Sequence, residues 1–99
     1  MVEYTSELDV VFSSLADPVR RDIINRVAQK EHSVGELVAC YDISFAAISK
    51  HLMVLEEACL IRKRKDGRKR MVSLVPGSLK GVDAYLRQYR YSHSHDIGV

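Results

Sequence analysis

The sequence predicts a mainly α-helical domain with one small β-hairpin, in the order α-α-α-α-β-β-α. Three observations predict it. Apolar residues recur at i, i+3, i+4 in four or five separate segments, several opened by a residue that caps helices. One Asp-Gly pair, Asp66-Gly67, stands between two strand-like stretches. Around it residues 61–70 hold seven Lys or Arg, which helical packing alone does not require.

The elements follow in order along the chain. Over residues 5–16, Leu8, Val11, Phe12 and Leu15 fall on one helical face. Asp17-Pro18 opens a second helix: Asp accepts from free backbone N–H groups, and Pro loses nothing at a position whose N–H is unpaired. Val19, Ile23, Ile24 and Val27 carry it to about Gln29. Ser33-Val34-Gly35-Glu36 reads as a capping box for a short third helix with Leu37 and Val38 inward. After Tyr41-Asp42-Ile43, Ser44 caps the fourth. There Ile48, Leu52 and Leu55 face the core, flanked by Phe45, while Ala46, Ser49, Lys50 and Met53 face out. A type I′ turn centred on Asp66-Gly67 sets Lys65 opposite Arg68, Arg64 opposite Lys69 and Ile61 opposite Val72. A last helix over about 78–91 carries Leu79, Val82, Leu86 and Tyr89 at seam spacing, weakened at Gly81.

Composition removes several classes. The chain has 99 residues, 46% hydrophobic and 28% charged, which suits a single soluble domain over 1–99. No apolar run reaches the roughly 18 residues of a membrane span, so no membrane partner is expected. The start, MVEYTSELDV, carries acids where a secretory signal is basic and apolar. Two cysteines, Cys40 and Cys59, make no disulfide framework, and a reduced, cytoplasmic setting is expected.

The net charge of +2 conceals an asymmetry. Residues 61–70 sum to +6, leaving −4 on the other 89. Like charges across a hairpin cost roughly 0.2–1 kcal/mol per pair, so isolated folding does not select them. A polyanion laid alongside removes that cost and gains from counterion release. The alternative of a solvated basic loop needs no such partner. Two short helices joined by a few residues, the second presenting small and polar residues, match a helix-turn-helix over about 34–58. In that arrangement the N-terminal part of the second helix meets base edges in the DNA major groove. The candidate recognition residues are Ser44, Phe45, Ala46, Ser49, Lys50 and His51, and the candidate hairpin contacts are Arg62, Arg64, Lys65, Arg68, Lys69 and Arg70. A helix pair packed in a bundle, with the basic hairpin docked on an acidic protein, is the competing reading.

LADPVRR at 15–21, VGEL at 34–37, SFAAISKHLMVLE at 44–56 and Gly67-Arg68 together resemble the ArsR-type (ArsR/SmtB) family of winged helix-turn-helix repressors. The resemblance spans about 60 residues. It implies a dimeric, sequence-specific DNA-binding repressor, with a wing over about 60–74 whose Arg68 reaches the minor groove or its phosphates. Phe45 stands where relatives often have a polar residue or Pro, and Val72 where many have an aromatic. The helices at 5–16 and 78–91 are the expected dimer elements, through Leu8, Leu15, Leu79, Val82, Leu86 and Tyr89.

No metal, cofactor or catalytic group is expected. The Cys pair of metal-sensing relatives is reduced here to Cys40, with Val38 in the other place, and one thiol cannot fill a tetrahedral site. On the last helix Asp83 is present, but Tyr85, Asp96 and Val99 occupy the other ligand positions implied by the resemblance. His93 and His95 read as a tail. Cys59, at a position relatives give to Gly, reads as packing at a helix end. His51 and Ser49 diverge by about 160° on the helix, which does not make a nucleophile and its base. The sequence is silent on the operator and the inducer.

Overall fold

A computed structural model of the chain describes residues 6–90. Five helices and three strands run in the order α1 (Glu7–Ser14), α2 (Pro18–Gln29), β1 (His32–Ser33), α3 (Val34–Ala39), α4 (Phe45–Glu57), β2 (Ile61–Asp66), β3 (Lys69–Leu74) and α5 (Lys80–Arg90). The helix starts are chemically fixed. Asp17 Oδ1 accepts from the Val19 and Arg20 N–H groups at 2.8 and 3.1 Å, with Pro18 in the first turn. The Ser33 hydroxyl and the Glu36 carboxylate exchange hydrogen bonds with each other's backbone N–H, at 3.0 and 2.7 Å. The Ser44 hydroxyl accepts from the Ala47 N–H at 3.1 Å.

The core joins every layer. Ile23 of α2, Leu37 of α3, and Ile48, Leu52 and Leu55 of α4 are buried together with Leu60, Ile61 and Val72 at the base of the hairpin. Each such side chain is worth about 1.5–3 kcal/mol in burial alone. The expected inward stripe of α4 is therefore present. Phe45 departs from it: its side chain is 63% exposed rather than flanking the core. One turn of α4 already fills the space with Ile48, and the first helical residue lies beyond the edge of that packing.

The hairpin register also differs from the expectation. Asp66 pairs with Lys69, so the two-residue turn is Gly67-Arg68, one position later than Asp66-Gly67. Gly67 has φ of +65°, and no such value occurs at Arg68, which is the pattern of a type II′ turn led by glycine. Lys65 consequently faces Arg70, Arg64 faces Met71, and Ile61 faces Leu74. The partners shift by two residues, so Ile61, Val72 and Leu74 share one face as they would in the expected register, and the core receives them there. A third strand, β1, was not expected. It pairs antiparallel with β3, His32 beside Val72 and Ser33 beside Met71, so β3 is the central strand in the order β1-β3-β2.

The end of α4 corrects the reading of Cys59. Its N–H donates to the Glu56 carbonyl and the Leu60 N–H to the Leu55 carbonyl, both at 3.0 Å, while Leu55 and Leu60 are buried. This is a Schellman ending, whose reversing residue takes a left-handed conformation. Cys59 is that residue, with φ of +62° and an exposed thiol. The thiol's contact with the Glu57 carbonyl, at 4.0 Å, is too long to offset the strain of a Cβ there. Cys59→Gly is expected to stabilise the fold by about 1 kcal/mol, raising Tm by about 4–8 °C in a reduced sample. An unchanged or lower midpoint in thermal melts followed by circular dichroism would contradict this account.

Candidate nucleic-acid interface

Two clamps hold the helix-turn-helix. The Tyr41 hydroxyl, in the α3–α4 turn, donates to Asp22 Oδ2 of α2 at 2.6 Å, and Arg26 Nε donates to the same oxygen at 2.9 Å. The Arg26 guanidinium lies 5.5 Å from the Tyr41 ring centre. Hydrogen bonds from Tyr41 and Arg26 hold the Asp22 carboxyl below its ordinary range, while burial and the donated bond push the Tyr41 phenol up to about 12.

The second clamp lies at the α1–α2 corner. Arg20 Nε donates to the Ser14 carbonyl at 2.6 Å, Arg21 Nη1 to the Leu15 carbonyl at 2.8 Å, and Arg20 Nη1 approaches Nδ1 of His51 on α4 at 3.2 Å. A guanidinium only donates, so in this contact Nδ1 is the acceptor. Burial works to raise Asp17, but the N–H groups of Arg20 and Val19 outweigh it and leave the carboxyl below its ordinary value. Arg20 thus ties α1, α2 and the recognition helix together. Sequence reasoning had placed it only inside a motif, although a cation three residues after a capping Asp is the signal that could have marked it.

Along α4, the predicted recognition residues are not equivalent. Phe45, Ala46 and Lys50 are exposed, and Lys50 makes no ion pair among the described residues. Ser49 is half-buried. The Ser44 hydroxyl is occupied as the helix cap, and His51 is turned to Arg20. Ile43 and Met53 add exposed apolar surface before and after them.

The hairpin sorts its cations into two sets. Arg64 makes a bidentate pair with Glu31, in the segment between α2 and β1, at 3.0 and 2.6 Å. That bond raises the guanidinium above its ordinary value. Lys63 reaches Glu56 of α4 at 3.4 Å. These two brace the hairpin against the helical body. Arg62, Lys65, Arg68, Lys69 and Arg70 are exposed and have no ion pair among the described residues. Glu31 lies 33 residues from its partner, and no local pattern marks it.

The expected dimer residues divide likewise. Leu15, Leu79 and Val82 pack against the core of their own chain, and Leu8 is half-buried. Leu86 and Tyr89 are exposed on α5, as are Tyr85 beside them and Val10 and Phe12 of α1. Phe12 meets Tyr85 edge-on at 5.7 Å, and Tyr85 meets Tyr89 at 5.4 Å. Among the described residues no three His, Cys, Asp or Glu side chains gather in a metal-binding group, and no helix is long and apolar enough to cross a membrane. Asp83 instead pairs with Arg87 one turn along α5. His93, His95, Asp96 and Val99 lie outside the described residues.

A capped two-helix unit with a basic hairpin beside it defines a winged helix-turn-helix DNA-binding protein. The profile of bacterial regulatory proteins of the arsR family matches residues 17–63. The HTH-type transcriptional regulator Rv2034 of Mycobacterium tuberculosis is 36% identical over 81 residues, covering 82% of this chain and 76% of that protein. The biofilm growth-associated repressor of Agrobacterium fabrum is 35% identical over 69% of this chain and 58% of its own length. The crystal structure of an ArsR family transcriptional regulator superposes with a TM-score of 0.81 at 29% identity, covering 90% of this chain and 98% of the other. The chain belongs to the ArsR family and is a DNA-binding transcriptional regulator.

The Glu31 clamp has a measurable consequence. Glu31→Gln is expected to release Arg64 for phosphate contact and to steepen the slope of log K against log salt by about 0.9 per bound chain on random duplex DNA. A slope equal to that of the parent protein, from salt titrations of fluorescence anisotropy, would mean that the pair does not restrain Arg64.

Proposed function

We propose that the chain is a sequence-specific, homodimeric repressor that occludes its operator without needing a metal, a cofactor or any catalytic step, and that it works in the cytoplasm. The observation that carries the reading is the division of labour at the interface. Exposed Ala46 and Lys50 stand on the N-terminal half of α4, and five exposed hairpin cations make no ion pair among the described residues. The first set suits base edges and the second suits phosphates. The sign of regulation follows the relative from Agrobacterium fabrum, whose name is that of a repressor.

The test is competition on metal-stripped protein at physiological salt, with labelled duplex from immediately upstream of its own gene. The unlabelled operator should compete at least about a thousandfold better than a shuffled copy. Equal competition by both would sink specificity and favour docking on an acidic partner instead. Lys50→Ala should lower specific binding by about tenfold with little effect on the shuffled duplex, whereas Arg68→Ala should weaken both alike. Equal losses on both duplexes for Lys50→Ala would remove it from base readout.

Pairing of two copies rests on the apolar face of α1 and α5. Val10, Phe12, Tyr85, Leu86 and Tyr89 are large side chains left exposed on these two helices, with Phe12, Tyr85 and Tyr89 in ring contact. A two-fold pair would carry two recognition helices to half-sites about one helical turn apart, or a multiple of it. Leu86→Glu is expected to yield a monomer in sedimentation equilibrium at micromolar concentration. A dimer of unchanged strength would place the interface elsewhere.

A further inference from the structure

Phe45 is the most exposed of the large hydrophobic side chains among the described residues, at 63%. It is the first residue of α4, held there by the Ser44 cap. Ile43, Ala46 and Met53 are exposed as well, so apolar side chains stand beside Lys50 on the recognition surface, where phosphate binding alone would need only polar ones. Nothing in the core gains from this ring, since Ile48, Leu52 and Leu55 already seal the inner side of α4. An exposed aromatic of this size costs solubility and calls for a partner that covers it. Lys50 and the free hairpin cations beside it commit that partner to a polyanion, not to an apolar protein groove.

A phenyl ring pressed onto DNA base edges meets mostly hydrogen-bonding atoms. Covering the N7 and O6 of guanine, the N6 of adenine or the N4 of cytosine would desolvate them without a replacement bond. The single apolar group in the major groove is the C5-methyl of thymine. We infer that Phe45 is a specificity-determining residue that selects a thymine in each operator half-site by packing its ring on that methyl. This inference rests on the reading of the chain as a sequence-specific operator binder, and its test separates the two.

Wild-type protein and Phe45→Ala would each be taken through selection from randomised duplex DNA. The best wild-type duplex would then be remade with deoxyuridine in place of each thymine in turn. Deoxyuridine keeps every hydrogen-bonding atom and loses only the methyl. The expected result is one thymine per half-site whose replacement weakens wild-type binding about fourfold, the effect of one buried methyl, and about fifteenfold when both half-sites are changed. Phe45→Ala, which disturbs no packed side chain, should bind the thymine and uracil duplexes equally. If no thymine-to-uracil change affects the wild type, or if Phe45→Ala keeps the same discrimination, the thymine assignment is overturned while the operator reading survives. If wild-type protein enriches no sequence at all, the operator reading falls and takes this inference with it. Should Phe45→Ala instead change only the sedimentation of the free protein, the ring belongs to a contact between copies and the assignment is wrong.

Discussion

The structure depends on how the guanidinium of Arg20 is shared. Three of its nitrogens serve α1 carbonyls and the imidazole of His51, so one side chain joins the end of α1 to the middle of the recognition helix. Asp17 sits below it and caps α2, which fixes the helix from which Arg20 projects. Without that cross-brace the middle of α4 would rest on its buried stripe, with the Lys63 pair only at its far end, and a stripe of Ile and Leu permits rotation about the helix axis. Directional hydrogen bonds do not. The exposed side of α4 therefore keeps one orientation relative to α1, the helix that, with α5, carries the face proposed to meet the second copy.

Charge is managed with the same economy. A cluster of seven cations would repel itself, and the fold answers by pairing two of them with the helical body, Lys63 through Glu56 and Arg64 through Glu31. Both pairs are partly exposed, so each adds little to stability in salt. Their effect is geometric, because they set the angle at which the remaining cations leave the surface. Lys65 faces Arg70 across the strands and stays exposed, a repulsion that the free protein tolerates and an adjacent phosphate chain would relieve.

Much of this was legible in the sequence because helix starts are local events. Asp17-Pro18, the Ser33–Glu36 box and Ser44 each announce a helix within four residues, and all three caps are present. The buried stripe of α4 was legible for the same reason. The hairpin was found, but its turn was placed one residue early and its strand partners two residues out of register. Asp66-Gly67 is the commoner turn pair, but Ile61, Val72 and Leu74 share one face in either register, so the apolar pattern could not reveal that glycine leads the turn. A two-residue strand such as β1 has too short a pattern to read. Glu31 and Glu56 became partners of the wing only through the tertiary fold. Cys59 was read as packing because its side chain was considered and its backbone angle could not be. The site residues were named as a set, while the distinction between free Lys50, capped Ser44 and braced His51 needed coordinates.

The position of β3 in the middle of the sheet has a mechanical consequence. Ser33 ends β1 and also caps α3, so the strand beside β3 runs without slack into the first helix of the reading unit. Hairpin and helix pair then move as a single caliper, with a span set by the ladder and not by a hinge. A duplex whose grooves do not match that span must itself bend or twist to fit, and the cost of doing so depends on base steps the protein never touches. Part of what such a regulator discriminates would then be the stiffness of its site, independent of any letter read by a side chain.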